Sequence, residues 1–117
     1  MPKIMIVDDD RTTVKLLQTL LEMDGFEVVV TGYGQQALEL ANSTHPDIFL
    51  VDYHLADMDG VELVLQLRAS PTFAHTPIVV ASGRNVEDKV LDAGANLFLI
   101  KPFEPNKLAD TFNGLLG

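Results

Sequence analysis

Five short apolar runs, separated by stretches with helical spacing, decide what this chain can fold into. They are "KIMIV" at 3 to 7, "FEVVV" at 26 to 30, "DIFLV" at 47 to 51, "PIVVA" at 77 to 81 and "LFLI" at 97 to 100. All but the second are nearly continuous rather than alternating, the pattern of strands covered on both faces. The intervening segments place apolar residues along one helical face: Val14, Leu17, Leu20 and Leu21; Ala37, Leu38 and Ala41; Val61, Val64 and Leu65. A weaker fourth carries Val86, Val90 and Leu91, and a fifth Leu108, Phe112 and Leu115. Local punctuation keeps the same phase. Asp10 is a good N-cap for the first helix, Gly25 and Gly94 suit helix C-termini, and Pro46 and Pro77 halt helices ahead of strands. The spacing predicts five strand-helix repeats, a (βα)5 α/β fold with a parallel sheet, right-handed crossovers and helices on both faces. With 117 residues, 47% of them hydrophobic, one domain over 1–117 is expected, burying roughly 65% of the surface its unfolded form exposes.

An open sheet of this kind binds ligands beyond the carboxyl ends of its strands, so the informative residues are those that follow each run. They are Asp8, Asp9 and Asp10 after the first, Asp52 after the third, Ser82 after the fourth and Lys101 after the fifth. Thr31 follows the second and carries less chemistry. Asp10 is accounted for by its helix cap.

Charge and composition narrow the function. Seventeen acidic against eight basic residues give a net charge of −9, which repels a phosphate backbone or an anionic lipid surface unless the basic residues cluster. They do not cluster, so neither direct nucleic-acid binding nor membrane binding is expected. The absence of cysteine excludes disulfides, thiolate metal sites and a cysteine nucleophile, and fits a reducing compartment. Ile4 to Val7 is shorter than the apolar core of a signal peptide and no stretch could span a bilayer as a helix, so a cytoplasmic location is expected.

Carboxylates packed together repel: unit charges about 4 Å apart interact by roughly 4 kcal/mol at an effective dielectric near 20. Such a cluster attracts a cation. Oxygen ligands without histidine or cysteine favour a hard ion, and a few carboxylates with room for water and phosphate oxygens suit Mg²⁺ better than a closed Ca²⁺ cage. Mg²⁺ beside a lysine and a hydroxyl is a phosphoryl site, in which a carboxylate can be the acceptor because phosphoryl transfer needs mainly positioning and charge compensation.

The residues that carry this chemistry resemble the receiver domains of two-component response regulators, the chemotaxis-regulator-like fold. The motifs are the apolar run ending in Asp8-Asp9, "VDYHLADMDG" around Asp52, "VVAS" ending at Ser82, and "LIKPF" at Lys101. The resemblance covers essentially the whole chain and implies the flavodoxin-like strand order 2-1-3-4-5. It implies that Asp52 is the phosphorylation site and that Asp9 binds Mg²⁺ directly, Asp8 through water, with Asp52 and the backbone carbonyl of His54 completing the protein ligands. Ser82 is then the switch hydroxyl, Lys101 the phosphoryl contact before a cis Lys101-Pro102 bond, and Phe98 the mobile aromatic. A sensor histidine kinase or histidine phosphotransfer protein would donate the phosphoryl group, possible turnover would be limited to slow self-dephosphorylation, and an output domain or protein would read the change.

The chain departs from the family at two places. Ala56 stands where proline is usual in the loop after the acceptor, which loosens that loop without removing a chemical group. The span from Ser82 to Lys101 is about one helical turn short, so an abbreviated fourth helix is expected. Two other functions compete. "DDDRT" at 8 to 12 also fits the DxDxT motif of haloacid-dehalogenase phosphatases, with Asp8 as nucleophile and Asp10 as acid, but no acidic pair follows Lys101 and the Asp52 block goes unused. A receiver-like binding module that works without phosphate would leave the full acid, hydroxyl and lysine set unexplained. His54 and Arg84 are placed to flank the phosphoryl group or simply to face solvent, whereas His45 and His75 read as surface residues.

Overall fold

The computed structural model describes residues 1–117. Its order is β1 (Lys3–Val7), α1 (Arg11–Met23), β2 (Glu27–Thr31), α2 (Gly34–Thr44), β3 (Ile48–Asp52), α3 (Gly60–Ala69), β4 (Ile78–Ser82), α4 (Glu87–Ala93), β5 (Leu97–Ile100) and, after a 3₁₀ turn at Pro105–Lys107, α5 (Leu108–Leu116). All five strands are parallel, in the order β2-β1-β3-β4-β5. This is the order implied by the family resemblance.

Side chains alternate across the sheet and feed two cores. Met5, Val7, Phe49, Val51 and Val80 face the side covered by α2, α3 and α4, through Ala37, Ala41, Leu63, Leu67 and Val90. Ile4, Ile6, Ile48, Leu50 and Val79 face α1 and α5, through Val14, Leu17, Leu21, Leu108 and Phe112. Each core holds an edge-to-face aromatic pair, Phe49–Phe73 at 5.4 Å and Phe26–Phe112 at 6.2 Å between centroids. Full burial of each such side chain is worth about 1.5–3 kcal/mol relative to exposure. No helix is long and apolar enough to cross a membrane.

The helix boundaries follow the expected signals. Asp10 caps α1, accepting from the amides of Thr12 and Thr13, and Gly25 and Gly94 end α1 and α4 at φ of +93° and +120°, a conformation that favours glycine. Three details differ from the sequence expectation. Strands β2, β3 and β4 run one residue further, so Thr31, Asp52 and Ser82 are last strand residues rather than residues just beyond. Pro77 has no amide for the ladder, which starts β4 at Ile78. In α3, Leu65 is exposed, and Leu63, Val64 and Leu67 form the buried face. Apolar residues surround most of that helix, so spacing alone did not single out the inward face. In α4, only Val90 is buried, while Leu91 is exposed. At seven residues, α4 is short, as the reduced span required.

Two links between elements stand out. Arg68, at the end of α3, donates only to oxygens of neutral groups: the carbonyls of Gly94, Phe73 and Thr76 and the side chain of Asn96, at 2.6 to 2.9 Å. It ties α3 to the loop before β4, through Phe73 and Thr76, and to the turn before β5, through Gly94 and Asn96, whose Oδ1 also accepts from the Ile78 amide at the start of β4. The second link is made by Asp57, whose carboxylate accepts from the amides of Gly34 and Gln35 at the start of α2.

Candidate functional site

Register brings the strand ends to one rim. Val7 pairs with both Thr31 and Val51, Asp52 with Ala81, and Ser82 with Ile100. The residue after Val7 is Asp8, and the residue after Ile100 is Lys101. Parallel pairing therefore delivers Asp8, Asp52, Ser82 and Lys101 from four adjacent strands without any long loop having to carry them.

The acidic group is close. Carboxylate oxygens of Asp8, Asp9 and Asp52 lie within 4.8 Å of one another, with Asp8 buried, Asp52 half-buried and Asp9 exposed. Lys101 Nζ sits 3.0 Å from Asp52 Oδ1 and 3.6 Å from Asp8 Oδ2. Three carboxylates and one ammonium leave a net of two negative charges (−3 + 1) when all are ionised. Burial, reinforced by the neighbouring charge of Asp52, holds the Asp8 carboxyl above its ordinary pKa, although the Asp10 amide that it accepts from and the charge of Lys101 oppose this. Burial alone would lower the Lys101 pKa. The hydrogen bond and charge of Asp52, with the charge of Asp8, outweigh it and leave that pKa above the ordinary lysine value.

This donor set fits a hard divalent cation. It is all oxygen, it carries two uncompensated negative charges, and the exposure of Asp9 leaves room for water, the combination Mg²⁺ requires. His54 follows Asp52 by two residues in the loop after β3, exposed and bridged to Asp59. Its carbonyl accepts no backbone hydrogen bond within the loop.

The other candidates make no side-chain bond to the three carboxylates. Ser82 is fully buried, and its hydroxyl oxygen accepts from the Arg84 amide at 3.1 Å, while its carbonyl accepts from the Lys101 amide at 2.8 Å. Phe98 is half-buried in β5 and packs on the α2–α4 core. Asp10 turns its carboxylate to the α1 amides and the Thr13 hydroxyl, and the bonds from Thr13 lead in holding its pKa low. The Lys101–Pro102 peptide is cis. His45 and His75 are exposed.

Two contributors escaped the sequence: Asp57, because its partners lie more than twenty residues away (|i−j| 23 and 22), and Gly32, which lies against the acidic loop. A Cβ on Gly32 would meet Asp9 Cα at 3.5 Å and the Asp8 carbonyl oxygen at 3.7 Å. The glycine-containing "TGYG" at 31 to 34 was the available signal for a turn at this place.

Known proteins place this arrangement. The profile of the response regulator receiver domain matches residues 4–113. The polar-differentiation response regulator DivK of Brucella anthropi is 30% identical, over 100% of this chain and 98% of its own. Among solved structures, a response regulator from Chloroflexus aurantiacus superposes with a TM-score of 0.92 at 33% identity, covering 99% of this chain and 98% of that one. The receiver domain of a Pseudomonas aeruginosa sensor histidine kinase, solved with a magnesium ion coordinated in its active-site cleft, gives 0.90 at 25% identity, covering 99% and 98%. With its sheet order, its acidic rim and a profile match over most of its length all in agreement, this chain belongs to the response regulator receiver domain family.

Proposed function

We propose that Asp52 is the phosphoryl acceptor of this receiver domain and that Asp8, Asp9, Asp52 and the His54 carbonyl hold Mg²⁺ beside it. The observation that carries the proposal is the pairing of Asp52 with Lys101 at 3.0 Å on the edge of the three-carboxylate group. Bound Mg²⁺ would supply charge compensation for phosphoryl oxygens. The protein does the rest. Phosphorus leaves the imidazole nitrogen of a phosphohistidine, on a sensor kinase or a histidine phosphotransfer protein, and bonds to an Asp52 oxygen. Lys101 neutralises charge on the transferring group, and the strand ends keep acceptor and ammonium in place.

The Ser82 hydroxyl then turns from the Arg84 amide to donate to a phosphoryl oxygen, and Phe98 follows it. Phosphorylation thus shifts an equilibrium between two states of one surface. The output is altered binding of a downstream protein or domain, in the cytoplasm, without direct contact to nucleic acid. The domain 1–117 acts as an acceptor whose only turnover is slow self-dephosphorylation. Asp10 speaks against a phosphatase that uses Asp8 as nucleophile, because the carboxyl that would serve as its acid caps α1 instead.

Incubation with acetyl phosphate and Mg²⁺ followed by intact mass spectrometry tests the reading. The wild-type chain should gain one phosphoryl group and Asp52→Ala none. No gain, or a gain that persists in Asp52→Ala, would sink the assignment.

A further inference from the structure

Helix α2 begins without a cap of its own. Its N-cap residue Tyr33 is extended, at φ −127° and ψ 131°, and makes no side-chain bond to the first turn. The amides are satisfied from elsewhere: Gly34 N–H donates to Asp57 Oδ1 and Gln35 N–H to Asp57 Oδ2, each at 2.9 Å. Asp57 belongs to the loop that carries Asp52 and His54 onward to α3. That loop closes on itself through Leu55 N–H to the Met58 carbonyl (3.2 Å) and Gly60 N–H to the Tyr53 carbonyl (2.7 Å). Asp57 makes the hydrogen bonds that tie residues 54–58 to a different element.

Packing brings the same two parts together. A Cβ on Gly34 would fall 2.5 Å from Met58 Sδ, so the Met58 side chain of the loop tip packs directly on the start of α2. The turn ahead of α2 in turn lies on the acidic loop, where Gly32 faces Asp9 and the Asp8 carbonyl. Ala56 imposes no fixed φ on the loop, so the tether falls to its neighbour.

We propose that Asp57 is a positioning residue: by capping α2 from the β3–α3 loop, it fixes the segment bearing Asp52 and the His54 carbonyl against the segment bearing Asp8 and Asp9. It thereby sets the Mg²⁺ affinity of the cluster and the rate at which Asp52 takes a phosphoryl group. This rests on the phosphoacceptor function proposed above.

The test compares wild type, Asp57→Ala, Asp57→Asn, and Asp57→Ala combined with Tyr33→Ser, which gives α2 a local cap without joining the loops. Mg²⁺ affinity is read by calorimetry, stability by thermal melting, and phosphorylation by mass against time with acetyl phosphate. Asp57→Ala should weaken Mg²⁺ binding about fivefold and slow phosphorylation by a similar factor. Asp57→Asn, which keeps an acceptor oxygen, should recover part of both. The double variant should regain melting temperature yet keep the weak Mg²⁺ affinity. Wild-type affinity and rate in Asp57→Ala would overturn the proposal, as would recovery of Mg²⁺ affinity by Tyr33→Ser, which would make Asp57 only a helix cap. A wild-type chain that neither binds Mg²⁺ nor takes phosphate would instead overturn the acceptor function, and this inference with it.

Discussion

Lys101 serves two carboxylates at once, Asp52 at 3.0 Å and Asp8 at 3.6 Å, so its removal strips the site of its one close cation. Lys101→Met should slow phosphorylation on the order of 100-fold, the usual cost of losing a preorganised charge-stabilising group, as measured by mass gain against time. Its pKa is raised by these partners, so the stability it contributes is complete below the ordinary value of 10.5 and is lost as pH rises through the raised one. Alkaline melts of wild type should therefore fall in that range, and those of Lys101→Met should fall less. Asp8 gives the complementary case. Its carboxyl is held above the ordinary 3.8 by burial first, so Mg²⁺ affinity should begin to drop, on acidification, at a higher pH than an ordinary aspartate dictates. Asp8→Asn should raise the melting temperature of the metal-free chain by a few degrees while weakening Mg²⁺ binding, the exchange expected where function concentrates like charge. That Asp8, Asp9, Asp52 and Lys101 come together could be read from the sequence because parallel strands carry their terminal residues to one edge. The bond between Ser82 Oγ and the Arg84 amide could not, since a hydroxyl's partner depends on how the following turn closes.

Elements show the same division. Five runs of apolar residues identify five strands, and caps such as Asp10 identify helix starts, because both signals are local. Caps and clamps supplied by another element are not local. Asp57 caps α2 from the β3–α3 loop, and Arg68 holds carbonyls in the loop before β4 and in the turn before β5. Burial lowers the Arg68 pKa, yet every partner is a neutral oxygen, so its removal leaves the Gly94 and Thr76 carbonyls without a donor. Arg68→Ala should cost about 3 kcal/mol, seen as a reduced urea midpoint with an unchanged slope. The inward face of α3 was ambiguous in the sequence for another reason. Val61, Leu63, Val64, Leu65 and Leu67 encircle the helix, and only the sheet decides that Leu65 stays outside.

Across the whole molecule, sheet order matters more than any single contact. Placing β3 between β1 and β4 sets Asp52 beside the acidic loop on one flank and beside Ser82 and Lys101 on the other. The same order separates the two cores, so α1 and α5 cover one face while α2, α3 and α4 cover the face against which Phe98 packs. A cation held at the rim stabilises the entire fold by linkage: at a free Mg²⁺ concentration of 100 times the dissociation constant, the gain is about 2.7 kcal/mol. The melting temperature should rise by roughly 10 °C, return on chelation, and fail to rise in Asp9→Asn. Phosphorylation of Asp52 is the claim on which the rest depends, and borohydride trapping locates it directly. An acyl phosphate formed with acetyl phosphate and Mg²⁺ is reduced to the alcohol at its own residue, which tandem mass spectrometry then identifies. Reduction at position 52 alone is the expected result; reduction at Asp8 or Asp9, or at no residue of a chain shown to bind Mg²⁺, would contradict it.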